Sequence, residues 1–214
     1  MDRRIALYHA PNTRSSGALT LLEELGAPYE LRALDMKGGE NRLPAFLAVN
    51  PLGKVPAVLD GDTLVTEQVA IFIHLADRFP AAGLAPPLED PQRGRYLRWL
   101  AFYAASFEPA VVDHAQKRDP APQAMSPYGS YDAVMEAVRD HMISPGPYVL
   151  GERFSAADVL WGSALSWTMM FGVVPQWPEF TAYARRVTAR PAFARVRERD
   201  AALEAEQAAK RGKG

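Results

Sequence analysis

Every run of strand-forming residues in this chain falls before residue 66, which limits any sheet to four short strands at the N-terminal end. "IALYH" (5–9) is apolar and is ended by Ala10-Pro11-Asn12, and "PYELRALDM" (28–36) reads as a second strand. "AVLDGDTLV" (57–65) reads as a hairpin, because Asp60-Gly61-Asp62 supplies turn chemistry between two apolar runs. Helical spacing fills the gaps. "SSGALTLLEELG" places Leu19, Leu22 and Leu25 on one face, with Ser15 or Ser16 as N-cap and Gly26 as stop. "NRLPAFLAVNP" reads as a short helix ending before Pro51, and "TEQVAIFIHLADRF" as a mostly buried one. The order strand, helix, strand, helix, strand, strand, helix describes a small α/β domain over residues 1–80.

The texture changes after Phe79-Pro80. "AAGLAPPLEDP" is a Pro-rich connector, giving a linker at 81–89, and residues 90–214 read as an all-helical domain. Tyr96, Trp99, Leu100, Tyr103 and Phe107 recur at helical spacing, so this half opens with a long aromatic-faced helix. "FSAADVLWGSALSWTMMF" is another helix, with Ser155 and Asp158 spaced as a capping box and Phe154 as a candidate staple. Two amphipathic helices follow, broken at Pro191, and the polar tail "EAEQAAKRGKG" is expected to fray.

Composition narrows the functions. A formal net charge of -1 and a pI near 6.4 provide no general attraction to nucleic acid or to an anionic membrane surface, so neither is an expected partner. The absence of cysteine excludes disulfides, thiolate metal sites and any protein-thiol nucleophile. "MDRRIALYHAP" carries no apolar leader and no segment approaches a membrane span, which points to a soluble cytoplasmic protein. The four histidines are scattered, so no metal site is expected, and His74 on an apolar helix reads as a satisfied core residue.

The hairpin's flanks carry the chemistry. Pro56 cannot donate to a ladder, so it is placed at the start of an edge strand, and a cis Val55-Pro56 bond would leave the Val55 backbone open to an extended peptide. The next helix opens at Glu67-Gln68, whose free N–H groups suit a ligand carboxylate while the Glu67 carboxylate suits an ammonium. One surface would then hold a short peptide with an α-amino acid head group. A fold-supporting proline and an ordinary first-turn acid are the purely structural readings of the same residues.

"NPLGKVPAVLDGDTLVTEQVAI" resembles the glutathione-binding segment of cytosolic glutathione transferases. "ALTLLEELGAPYEL" resembles their first helix and second strand, and "GERFSAADVLWGSAL" their C-terminal capping-box motif, so the resemblance spans essentially the whole chain. It implies a thioredoxin-like domain followed by an all-helical one, a homodimer, and glutathione as cosubstrate. It further implies that Val55 with Pro56 pairs the cysteinyl backbone, Lys54 approaches the glycyl carboxylate, and Glu67 with Gln68 holds the γ-glutamyl head. Gln68 departs from the family's usual serine, though its amide still donates.

Such a transferase must stabilise the thiolate of glutathione, since a free thiol near pKa ~8.5 is mostly protonated at neutral pH. The family's donor lies after the first strand, here within "YHAPNTRSSG", where the usual serine position falls near Asn12 and the usual cysteine position near Arg14. Neither is matched. Ser15 ranks first as donor, then Asn12, with Thr13 and Arg14 as further candidates, and a plain N-cap is the competing reading of Ser15. Tyr8, inside the strand, is expected in the core or beneath the site. An electrophile pocket is expected between the domains, lined by Tyr103, Phe107 and His114, with Trp167 or Phe171 further on, although an aromatic stripe at helical spacing is commonly core. The expected activity is conjugation of glutathione to small hydrophobic electrophiles. The alternatives are a glutathione-dependent isomerase, peroxidase or disulfide reductase on the same fold, or a non-catalytic glutathione-binding module.

Overall fold

The computed structural model describes residues 4–119, 121–143 and 146–212. Two compact units emerge, one of Met1–Ala82 with Arg190–Gly214, the other of Gly83–Ala189. The first contains β1 (Ile5–His9), α1 (Ser15–Leu25), β2 (Tyr29–Ala33), α2 (Pro44–Leu47), β3 (Ala57–Asp60), β4 (Thr63–Val65) and α3 (Gln68–Arg78). The second contains α4 (Arg93–Phe102), α5 (Glu108–Ala115), α6 (Tyr131–Ile143), α7 (Ala156–Met170) and α8 (Pro178–Thr188). The last helix, α9 (Pro191–Arg211), belongs to the first unit, where the sequence placed it in an all-helical domain running from 90 to 214.

The first unit is a mixed four-stranded sheet in the order β2-β1-β3-β4, the thioredoxin-like α/β arrangement. Parallel pairing of β1 with β2 needs a crossover, which α1 supplies, whereas β3 pairs antiparallel with both β1 and β4. Ile5, Ala6 and Leu7 are buried as a central strand requires, and Leu19, Leu21, Leu22 and Leu25 of α1 are buried too. Gly26 at φ +61° ends α1 in the left-handed conformation that glycine adopts without a Cβ clash.

Three expectations are corrected. The N-cap of α1 is Arg14, with Ser15 already helical. Pro56 precedes β3, which is an interior strand between β1 and β4, so its missing N–H is tolerated because it lies outside the ladder. The polar tail is helical to Arg211, because tertiary partners outweigh its composition: Arg211 pairs with Asp35, and the Gln207 amide donates to Leu34 O at 3.2 Å. Residues 213–214 lie outside the described residues. Upstream, Arg190 grips Glu24 with two hydrogen bonds of 2.8 and 2.6 Å, and Ala192, Phe193 and Val196 are buried.

The second unit is helical, and none of its described residues forms a named strand. Its core centres on Trp161, with Trp99, Tyr103 and Phe107 packed around it at ring distances of 5.8, 5.8 and 5.0 Å. Between α4 and α5 the helix widens into a π-type turn over Tyr103–Phe107. Gly162 lets α7 approach α8: a Cβ there would stand 2.3 Å from Val187 Cγ1. Gly162→Ala is therefore expected to destabilise the protein by about 1–3 kcal/mol despite alanine's better helix propensity. Denaturant unfolding should show a smaller cost in a Val187→Ala background, and an equal cost would refute the close approach.

His141 stacks on Trp99 at 3.9 Å, and its pKa is lowered to about 4 by burial first and by the charges of Arg95 and Arg98. A depressed histidine contributes stability above its unfolded pKa of about 6.5 that is lost as pH falls through about 4. His141→Gln is expected to flatten that part of the acid unfolding curve, measured as midpoint against pH; an unchanged slope would refute it.

Candidate functional site

The register of the sheet gathers three separate segments at one end. Tyr8 opposes Ala57, so the loop leaving β1 lies beside the segment that enters β3. Val58 opposes Val65, which brings the chain leaving β4 and opening α3 to the same end. The contacts agree. Ala10, Phe46 and Val55 form one buried cluster, and the Gln68 side-chain amide donates to Arg14 O at 3.1 Å.

The segment before β3 is held by two buried asparagines. Asn41 donates to Gly53 O and Asn50 donates to Lys54 O, each at 2.9 Å, while Asn50 Oδ1 accepts the Leu52 N–H. Gly53 sits at φ +62°, and a Cβ there would meet Asn41 O at 2.7 Å, so this position requires glycine. Val55-Pro56 is cis, and Val55 lies just outside the ladder that begins at Ala57. Lys54 is exposed.

Glu67 precedes α3 with φ +63° and ψ 118°, an unfavourable backbone for a residue with a Cβ, and its carboxylate is exposed. Strain of this kind costs about 1–3 kcal/mol and concentrates at ligand sites. The N-terminus of α3 carries the positive end of the helix dipole beside it.

The β1–α1 loop separates the four donor candidates. Ser15 is 0 % exposed and its hydroxyl faces inward: it lies 2.9 Å from His9 Nδ1, 2.7 Å from the Thr13 hydroxyl and 3.1 Å from Ala10 O, and it accepts the Ala10 N–H. Its hydroxyl is enclosed within the protein. Thr13 donates to Ala10 O at 2.8 Å and accepts the Ser15 N–H. Asn12 and Arg14 are exposed. Asn12 has φ +56°, a conformation asparagine tolerates better than most, and its amide donates to Glu204 at 2.6 Å, with one further N–H on the same nitrogen.

Two residues of this region carried no sequence signal. His9 and Asp200 are buried against the loop, 191 positions apart, with His9 Nε2 2.9 Å from Asp200 Oδ1. A histidine in a strand and an acid in an amphipathic helix have ordinary readings. Tyr8 is half-buried beside Phe46, and its hydroxyl accepts from Arg32 at 2.9 Å.

The residues expected to line an electrophile pocket divide differently. Tyr103 and Phe107 are core, 5 % and 1 % exposed, so the aromatic stripe serves packing of the second unit. His114 is exposed, stacks on Tyr131 at 3.9 Å and borders a shallow groove of about 390 Å³ with Met135 and Trp177. Trp167 and Phe171 are exposed on the end of α7, 4.8 Å apart. His74 Nε2 lies 3.0 Å from Asp60 Oδ2, which accepts its N–H. Among the described residues no group of three or more His, Asp or Glu is arranged to hold a metal ion, and no helix is long and apolar enough to cross a membrane.

Residues 4–77 match the family model for the glutathione S-transferase N-terminal domain. The chain is 31% identical over 172 residues to glutathione S-transferase 3 of Schizosaccharomyces pombe, covering 72% of this chain and 70% of that protein. It is 29% identical over 202 residues to the disulfide-bond oxidoreductase YfcG of Escherichia coli, covering 88% and 92%. Among solved structures, a glutathione transferase homologue from Sulfitobacter with bound glutathione superposes with a TM-score of 0.73 at 32% identity, covering 92% of this chain and 98% of that one. A glutathione transferase from Methylococcus capsulatus gives 0.77 at 30% identity over the same shares.

Proposed function

This chain belongs to the glutathione S-transferase family, and from that premise we propose that it binds reduced glutathione at the convergent end of the sheet and transfers its sulfur to small hydrophobic electrophiles. The observation that carries the reading is the convergence of Val55, Glu67 and the β1–α1 loop, with Glu67 exposed in a strained backbone where a ligand ammonium would meet it. Val55 pairs the cysteinyl backbone, Lys54 faces the glycyl carboxylate, and the Gln68 amide with the α3 N-terminus receives the γ-glutamyl carboxylate.

The sulfur then lies at the β1–α1 loop. Asn12 is the donor assigned to it, because Ser15 and Thr13 direct their hydroxyls inward, while the Arg14 charge and the α1 N-terminus favour the anion. The thiol proton leaves to solvent, the thiolate attacks an electrophilic carbon, and the leaving group departs with the displaced electron pair. Such a reaction needs reduced glutathione, a requirement that the reducing cytoplasm meets. Exposed Leu43, Leu52 and Leu64 of the first unit suit the homodimer the resemblance implies, and a monomer mass independent of concentration in sedimentation would exclude it.

A second reading, glutathione-dependent disulfide reduction, is favoured by the similarity to the Escherichia coli oxidoreductase; in a chain without cysteine, glutathione would supply all the reducing sulfur. The test is turnover of 1-chloro-2,4-dinitrobenzene against 2-hydroxyethyl disulfide, each with reduced glutathione. Conjugation is expected. Turnover of the disulfide alone selects the second reading, and glutathione binding without either reaction identifies a non-catalytic module.

A further inference from the structure

We propose that Asp200 on α9 is a positioning residue for the thiol-binding loop: its carboxylate, directly and through His9, fixes the backbone that presents Asn12. The proposal rests on the reading that this loop receives the glutathione sulfur. Asp200 is 4 % exposed, and its two oxygens take different parts of the loop. Oδ2 accepts the Asn12 backbone N–H at 3.0 Å and the Ser16 hydroxyl at 2.5 Å, while Oδ1 lies 2.9 Å from His9 Nε2.

An ionised carboxylate only accepts, so Nε2 of His9 carries a proton and, in the neutral ring, Nδ1 is left to accept from Ser15. The Ser15 oxygen in turn accepts the Ala10 N–H at 3.1 Å, and Thr13 closes the loop onto Ala10 O. One carboxylate thus orders residues 10–16, acting with the Thr13 hydroxyl, which accepts the Ser15 N–H at the first turn of α1. It also holds Asn12 at φ +56°, a left-handed backbone that is unfavourable for most residues with a Cβ.

The chain Ser15–His9–Asp200 has the residue types of a hydrolytic triad, but Ser15 and His9 are both fully buried and the serine oxygen already accepts a backbone N–H. Its hydroxyl cannot meet a substrate, which leaves orientation of the loop as its role. Burial pushes the Asp200 carboxyl up, yet the hydrogen bonds from His9, Ser16 and Asn12 outweigh it and hold it below the ordinary value. Ionised at neutral pH, it keeps its acceptors.

Two substitutions separate positioning from bulk folding. Asp200→Ala removes every acceptor. Asp200→Asn keeps one: with its oxygen toward Asn12 and Ser16, its NH2 faces His9, which must move its proton to Nδ1 while Ser15 donates to Ala10 O at 3.1 Å. In Asp200→Ala, hydrogen exchange of the Asn12 amide is expected to accelerate at least ~10-fold, and the ultraviolet thiolate titration of bound glutathione to return toward about 8.5. In Asp200→Asn, Asn12 protection and the wild-type thiol titration are retained, and the His9 ring nitrogen shifts in NMR report a neutral ring protonated at Nδ1.

Wild-type Asn12 exchange and thiol titration in Asp200→Ala would overturn the proposal. Should that variant not fold, Asp200→Asn decides alone, since His9 still protonated at Nε2 would equally overturn it. A wild-type protein that does not bind glutathione sinks the function reading on its own. The ordering of the loop by Asp200 is then supported or overturned by Asn12 exchange and the His9 tautomer, which need no ligand.

Discussion

Asp158→Ala is expected to destabilise the protein by about 3–5 kcal/mol, enough to unfold the second unit at moderate temperature. Its carboxylate is fully buried and accepts the Val149 N–H at 2.7 Å, the Ser155 N–H at 2.8 Å, the Ser155 hydroxyl at 2.9 Å and the Tyr183 hydroxyl at 2.8 Å. Truncation leaves those donors buried without an acceptor, and each such group costs about 1–3 kcal/mol. The same residue caps α7 and ties it to α8 and to the 149 segment, so its loss is not local. Denaturant unfolding reads the effect, and a change below about 1 kcal/mol would contradict the network.

The charge state of Asp158 adds a pH signature. Burial pushes its pKa up to about 6 against the opposing hydrogen bonds. A carboxyl raised in the folded state contributes stability that is present below its unfolded value and lost as pH rises through about 6. That slope is opposite in sign to the one expected from His141, so single variants, each compared with wild type, separate the two.

The second large effect lies at the ligand site. Glu67→Ala is expected to weaken glutathione binding by about 10- to 10²-fold, because a charge-assisted contact to the ligand ammonium contributes about 1.5–3 kcal/mol. Glu67→Gly should lose binding in the same way yet keep or raise the melting temperature. Relief of the φ +63° strain, about 1–3 kcal/mol, exceeds the ~1 kcal/mol entropic cost of glycine. Opposite movements of stability and affinity at one position identify strain retained for ligand binding. A Glu67→Gly protein that melts well below wild type, or that binds glutathione normally, would contradict it.

Much of this was legible from short-range chemistry. Asp60-Gly61-Asp62 announced the hairpin, Gly26 the end of α1, and Ser155 with Asp158 the start of α7, because turns and caps are local. Val55, Pro56, Glu67 and Gln68 could be named as candidates for the same reason, as they flank that hairpin, whereas Lys54 came with the family resemblance. What escaped was long-range. Ser15 looked like an N-cap or a thiol donor, and only His9 and Asp200 explain why its hydroxyl points inward. Residues 204–211 looked frayed until Asp35 and Leu34 supplied partners, which also moved α9 to the first unit. Tyr103 and Phe107 had the spacing of either a core or a pocket, and the position of Trp161 decides for the core.

Calorimetric titration of reduced glutathione into the wild-type protein tests the central claim most directly. Saturable binding of one glutathione per chain, lost in Glu67→Ala, is the predicted result. A wild-type titration showing no binding at millimolar glutathione would contradict it.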